Sequence, residues 1–270
     1  MTDQPGLTVR VVDFETTGLP PKPCAVCEAA YVDLVSRTGN VWSRGAVWSS
    51  LVNPQAPIDV EAMAVHHITD EMVADAPTWD AVARRLTERD DYPADTLITI
   101  FAAHHAAFER ALFDPPGAMW VDTYKNAVTL WPDAPSFKNQ VLRYWLGLKL
   151  VSYLENHPVL PHRALGDAYV SAGILRRQFI EGLTLPDMVT IAANPVVLPR
   201  FHFGEHAGKP LPDVPTSYLE WIVKKSKGPW DPDVLHTAMH HLTARLAAQM
   251  ARSPVDPAAV AAAQSSAERG

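Results

Sequence analysis

Cysteine is almost missing from this chain: Cys24 and Cys27 are the only two in 270 residues. Two cysteines cannot make a disulfide framework, which points to a reducing, cytoplasmic setting. Their C-x2-C spacing has no second pair to complete the four ligands of structural zinc, so plain burial beside a strand is the expected role. Long apolar runs are also lacking, and none approaches the roughly 18 residues of a membrane span. The start, Met1-Thr2-Asp3-Gln4-Pro5-Gly6, has neither the basic residues nor the apolar core of a secretory signal. Surplus positive charge is absent too. Lys and Arg number 23 against 30 Asp and Glu, a net of −7, which argues against blanket electrostatic binding of nucleic acid. It does not exclude a nuclease, because carboxylates that hold metal ions count as negative on paper and the ions reverse the local sign.

What is present allows one sizeable core and a small extra domain. Leu7-Thr8-Val9-Arg10-Val11-Val12 is apolar and β-branched and reads as a buried strand. It runs directly into Asp13-Phe14-Glu15-Thr16-Thr17-Gly18-Leu19. Carboxylates at i and i+2 on a strand share a face, and burying the pair is costly unless a positive charge lies between them. Hard oxygen ligands suit magnesium or manganese. By itself the pair fits a solvated strand end as well as a metal site.

Further along, Pro20-Pro21-Lys22-Pro23 imposes an extended connection. Ala25–Leu34 and Val41–Leu51 read as strands joined by the turn Arg37-Thr38-Gly39-Asn40. Asp59–His67, Asp70–Ala74 and Trp79–Glu88 read as short helices, Thr96–Ala102 as a strand and Ala106–Phe113 as a helix. Trp120-Val121-Asp122-Thr123 leads into a helix through Leu130, and Asn139–Leu148 and Ala164–Glu181 carry helical spacing. Thr184–Pro199 has three prolines and no strong periodicity, and reads as a linker. Beyond it come a helical stretch from Ser217 and a last helix from about Asp233 to Ala251. The tail from Ser253 is rich in Ala, Ser and Pro and is expected to be disordered. The expected division is therefore residues 1–183, a linker at 184–199, a small module at 200–251 and a tail at 252–270.

Two more segments carry candidate chemistry. Pro161-His162-Arg163-Ala164-Leu165-Gly166-Asp167 places a histidine just before a helix and an aspartate in its first turns. A neutral imidazole beside a metal site can serve as a general base; the plainer reading is a surface histidine next to an acid at a helix start. His104-His105-Ala106-Ala107-Phe108-Glu109 follows a strand and puts an acid one turn into a helix, where a solvated Glu is the ordinary alternative.

Taken together, Asp13 and Glu15, then Glu109, then His162 with Asp167, stand in the order and contexts of the DEDDh exonucleases. The chain resembles that RNase H-like 3′→5′ exonuclease family from about Val9 to Glu181, including Ala64-Val65-His66-His67-Ile68-Thr69-Asp70-Glu71. Trp120–Lys125 and the stretch Phe203–Ile222 are similar to a bacterial DNA-acting branch in which a small module accompanies the exonuclease domain. The resemblance implies an α/β fold with a mixed five-stranded sheet flanked by helices, plus that module.

It also implies two Mg²⁺ or Mn²⁺ ions about 3.5–4 Å apart clamping the scissile phosphate. Asp13, Glu15, Glu109 and Asp167 are then the metal ligands and His162 the base. Thr16, Thr17, Gly18, Leu19 and Phe108 are expected to line the terminal nucleotide, although Phe108 fits an ordinary core position equally. The chain departs from the family at two places, with Glu109 where aspartate is usual and His105 where an amide is usual.

Other features are weaker. His236 and His240 have i, i+4 spacing but no third ligand nearby in sequence. Lys224-Lys225-Ser226-Lys227 near Trp221 and Trp230 reads either as a nucleic-acid stacking patch or as a solvated helix end. The expected function is a DNA 3′-end exonuclease in repair or end trimming, with a repair partner as one role for the C-terminal module. RNA 3′-end trimming and a catalytically weak nucleic-acid-binding module are the alternatives.

Overall fold

The computed structural model describes residues 6–19, 23–37, 41–89, 98–150, 159–224 and 230–252. The Pro20–Lys22 connection, most of the Arg37–Asn40 turn, the start of the strand expected from Thr96, the lysines at 225 and 227, and the tail from Ser253 lie outside them. The chain divides into two compact units, Met1–Asn194 and Pro195–Gly270.

The first unit is built on a five-stranded mixed sheet of order β3-β2-β1-β4-β5. Strand β1 (Leu7–Thr16) pairs antiparallel with β2 (Val26–Ser36), which pairs antiparallel with β3 (Ser43–Leu51). On its other side β1 pairs in parallel with β4 (Ile100–Ala103), and β4 in parallel with β5 (Met119–Asp122). Val9, Val11, Ala30 and Val32 face α7 (Ala164–Ile180), burying Ala168, Tyr169, Ala172 and Phe179. Val12, Phe14, Ala29 and Tyr31 face the other way, toward α3 (Trp79–Thr87) through Val82 and Leu86. Both faces are covered, which is why β1 and β2 read as near-continuous apolar runs.

The odd positions of β1 share one face, so Asp13 and Glu15 continue the row of Val9 and Val11 toward α7. Between the strands run α1 (Val60–His66), α2 (Asp70–Val73) and α4 (Ala106–Leu112), and after β5 come α5 (Thr123–Leu130) and α6 (Asn139–Trp145).

The stretch read as a linker is helical over most of its length. Helix α8 (Leu185–Ala193) has a reciprocal capping box at its start: Asp187 N–H donates to Thr184 Oγ1 at 3.4 Å, and Thr184 N–H donates to Asp187 Oδ2 at 3.1 Å. Met188 is fully buried against the α7 side of the core. Thr184-x-x-Asp187 with Pro186 in the first turn is a helix-start signal, and prolines at 195 and 199 masked it.

The second unit has its own small core. Helix α9 (Thr216–Lys224) contributes Leu219 and Ile222, and α10 (Pro232–Arg252) contributes Val234 and Ala238. The incoming chain is tied to α10: Val196 N–H donates to Asp233 Oδ1 at 2.9 Å and Leu198 N–H to Thr237 Oγ1 at 2.8 Å.

One buried charge fixes the sheet to α3. Arg10 is wholly inaccessible, and its guanidinium donates twice to Asp33, at 2.8 Å each. It also donates to the carbonyls of Leu86 (2.9 Å) and Glu88 (2.7 Å), and lies 3.6 Å over the Tyr31 ring. Removing one partner of such a pair leaves a buried charge alone. Asp33→Asn should therefore lower unfolding stability by about 3–5 kcal/mol, read by urea titration; a change below about 1 kcal/mol would show that the other acceptors suffice.

Candidate active site

The site forms at the carboxyl ends of the parallel strands β1, β4 and β5, where open α/β sheets place their ligands. β1 delivers Asp13 and Glu15, and α7 delivers Asp167 from the facing layer. Ligand oxygens of these three lie within 4.8 Å of one another. Glu109 and His162 stand outside that mutually close set among the described residues.

Glu109 nonetheless acts on the cluster. It is 5% exposed, its Oε2 has no hydrogen-bond partner, and its charge acts on Asp13. It reaches this position because Asp122 ties two helix starts together. Asp122 accepts from the N–H groups of His105 (3.2 Å) and Ala106 (3.1 Å) at the head of α4, and of Tyr124 (2.9 Å) and Lys125 (3.3 Å) at the head of α5. Four otherwise orphaned donors are thereby satisfied by one carboxylate. His105 takes the left-handed conformation (φ 72°) that an amide side chain also tolerates, and its ring stacks on Tyr124 at 3.7 Å.

His104 is a structural residue of the same corner. Its Nε2 faces the Phe137 carbonyl at 2.7 Å and so must carry the proton, which leaves Nδ1 to accept from Thr123 Oγ1 at 2.9 Å. Burial pushes its pKa down to about 3, and the ring stays neutral.

At the other edge, Asp167 is held by three groups. Gln140 Nε2 donates to Oδ1 at 2.7 Å and the His162 N–H to Oδ2 at 2.8 Å, while Asn139 bonds its backbone carbonyl at 3.3 Å. His162 itself is exposed, in the left-handed region (φ 58°), with its imidazole near enough to favour the charged form of Asp167.

The turn after β1 makes one wall of a pocket of about 360 Å³, lined by Glu15, Thr16, Gly18 and Leu19, with Val65 and His66 opposite. Leu19 is 69% exposed there. Thr17, expected on this wall, points inward instead: it is buried, and its Oγ1 accepts from the Ala25 N–H at 3.0 Å. Phe108 is half-buried and does not line the pocket. His66 is a buried brace beneath the turn. Its Nδ1 accepts from Ile68 N–H at 3.0 Å, so Nε2 carries the proton and donates to the Thr16 carbonyl at 3.2 Å.

The electrostatics fit a divalent cation. Burial, and then the charges of Asp167, Glu109, Glu15 and Glu28, hold Asp13 well above the usual carboxylate range. Burial and then Asp167 push Glu15 up to about 8, and burial with Asp122 and Glu15 does the same for Glu109. Asp167 is raised by burial against its hydrogen bonds. Carboxylates in this condition, with one buried oxygen left without a donor, suit hard cations with oxygen ligands.

Sheet order, helix placement and acid positions together define an RNase H-like, DEDDh-type exonuclease fold. Residues 11–175 match the profile of the RNase_T family, described as Exonuclease, and the chain belongs to that family, whose members use divalent metal ions. Exodeoxyribonuclease 10 of Escherichia coli (strain K12) is 31% identical over 238 residues, covering 87% of this chain and 98% of that protein. Exonuclease X in complex with 5′ overhanging duplex DNA superposes with a TM-score of 0.55 at 30% identity, over 68% of this chain and 99% of that one. The nuclease domain of 3′hExo, a DEDDh family member, bound to rAMP, gives a TM-score of 0.50 at 18% identity, over 67% and 96%. That last likeness shows the fold alone. Among the described residues no helix is long and apolar enough to cross a membrane.

In the metal-free protein Glu15 and Glu109 keep protons that the unfolded chain has released above its ordinary value of 4.5. Stability is then lost as pH rises from 4.5 through about 8. Calorimetry in EDTA should show Tm falling across that window, with Glu109→Ala flattening the fall and melting higher than wild type at pH 8. A flat profile for the wild type would contradict this account.

Proposed function

We propose that this protein is a metal-dependent 3′→5′ exonuclease that hydrolyses phosphodiester bonds at DNA 3′ ends, in repair or end trimming. The observation that carries it is the cluster of Asp13, Glu15 and Asp167, with the partnerless oxygen of Glu109 acting on it and Glu15 also lining the Leu19 pocket. Similarity to a DNA exonuclease over nearly the whole chain supports the substrate class.

Asp13, Glu15 and Asp167 would hold one Mg²⁺ or Mn²⁺, and Glu109 would complete the site for a second. Bound there, the ions supply Lewis-acid stabilisation of charge on the attacking and leaving oxygens. The chain's own part is positioning and proton transfer. Thr16, Gly18 and Leu19 seat the terminal nucleotide, with Leu19 as an apolar contact to the base. His162, on its exposed loop beside Asp167, accepts the proton of the attacking water. The second unit, which holds none of the four acids or His162, contributes DNA affinity or docks a repair partner.

Digestion of 5′-labelled DNA and RNA oligonucleotides with Mg²⁺ or Mn²⁺ tests the reading. Stepwise shortening of DNA is expected, abolished by Asp13→Ala and reduced about 10²- to 10⁴-fold by His162→Ala with DNA and metal binding retained. RNA shortened in preference to DNA would move the substrate class, and no hydrolysis of either with Mn²⁺ would leave only a binding module. Glu109→Ala should cut turnover steeply while Glu109→Asp stays active. Wild-type turnover in Glu109→Ala would reduce the site to three acids.

A chain ending at Asn194 should keep metal-dependent hydrolysis of a short oligonucleotide at high enzyme concentration. Complete loss of turnover in a folded, Mn²⁺-binding truncation would place part of the catalytic site in the second unit.

A further inference from the structure

Glu28 has no part in the chemistry described so far, yet it lies at the centre of the site's support. It stands directly across from Glu15 in the antiparallel pairing of β1 and β2. Like charges in directly opposed positions destabilise a sheet, and Glu28 is only 5% exposed. The compensating charge is Arg163, which donates from Nε to Oε2 at 3.0 Å and from a terminal nitrogen to Oε1 at 2.5 Å. The Ala164 N–H, the first donor of α7, also donates to Oε2 at 2.9 Å.

These contacts grip the two residues that follow His162. His162 has a left-handed backbone, which a non-glycine residue keeps only when its surroundings over-determine it. Asp167 holds its N–H on one side, and Glu28 holds Arg163 and Ala164 on the other. Arg163 also has a second acid within reach of its field, since its charge acts on Glu15. A guanidinium released from Glu28 could pair with Glu15 and compete with a metal cation.

We infer that Glu28 is a positioning residue of this site: by binding Arg163 and the Ala164 N–H, it fixes His162 and Asp167 over the β1 carboxylates and keeps the arginine off Glu15. The inference rests on the metal-dependent reading given above.

Mn²⁺ affinity, measured by electron paramagnetic resonance of the free ion, separates the two. It is measured with steady-state DNA hydrolysis on wild type, Glu28→Gln, Arg163→Met and the double variant. Glu28→Gln keeps volume and an oxygen for Ala164 while losing the paired charge. It should weaken Mn²⁺ binding about tenfold and lower kcat about 10- to 100-fold, the range seen when supports of metal ligands are removed, with KM little changed. The double variant should regain Mn²⁺ affinity, because the loose guanidinium is gone, and keep the low kcat. Glu28→Gln with wild-type Mn²⁺ affinity and kcat and only a lower Tm would overturn the inference, as would a double variant binding Mn²⁺ no better than Glu28→Gln. Should Glu28→Gln fail to fold, Arg163→Met carries the test, its arginine being 34% exposed in the native chain: lowered kcat supports the inference and unchanged kcat overturns it. Wild-type protein that binds Mn²⁺ yet cuts no DNA would sink the exonuclease reading while leaving the Mn²⁺ comparison to judge Glu28.

Discussion

Mutual repulsion among Asp13, Glu15, Glu109 and Asp167 is the constraint around which the first unit is arranged. Burial raises the pKa of every one of them, and neighbouring acids add to the rise at Asp13, Glu15 and Glu109. A chain holding such a cluster gives up stability at neutral pH unless a cation enters. The acids stay together because each sits on an element with other reasons to be where it is. Asp13 and Glu15 continue a strand packed on both faces, Glu109 lies on a helix whose head is bound to β5, and Asp167 lies on the longest helix of that unit.

The supports share a chemical logic: each uses a buried polar group to satisfy helix-terminal backbone donors or to lock a tautomer. Asp122 gathers the heads of α4 and α5, Glu28 the head of α7, and His66 the turn that walls the pocket. His104 links β4 to Thr123 and Phe137. Small errors in such supports displace metal ligands, so their effect on turnover exceeds their effect on stability. Arg10 with Asp33 does the corresponding work away from the site, tying β1 and β2 to the end of α3.

Much of the site was legible because its chemistry is tied to short spacing. Asp13 and Glu15 share a strand face by the period of two, and His162 and Asp167 flank a helix entry. Thr17 shares the turn with residues that line the pocket, and its own hydroxyl accepts from the Ala25 N–H, a contact eight residues away that the motif does not show. Prolines at 195 and 199 obscure helix α8 in the sequence, although Thr184 and Asp187 carry its capping signal. Glu28, Arg163 and Arg10 carry no local mark, since nothing local points to a charge whose partner lies 23 or more residues away in the chain.

The sequence by itself determined most element types, α8 excepted, and the pairing of Asp13 with Glu15 on one strand face, because periodicity, turn chemistry and charge are local properties of the chain. Tertiary structure alone decided which charges are paired and which are left for a cation. Arg163 could answer Glu15 or Glu28, and Asp122 could sit in the cluster or cap helices. Strand register and helix entry settle both, placing the arginine on Glu28 and Asp122 on backbone donors while Glu109 keeps an oxygen without one. Long-range pairing follows from packing that no short window of sequence contains.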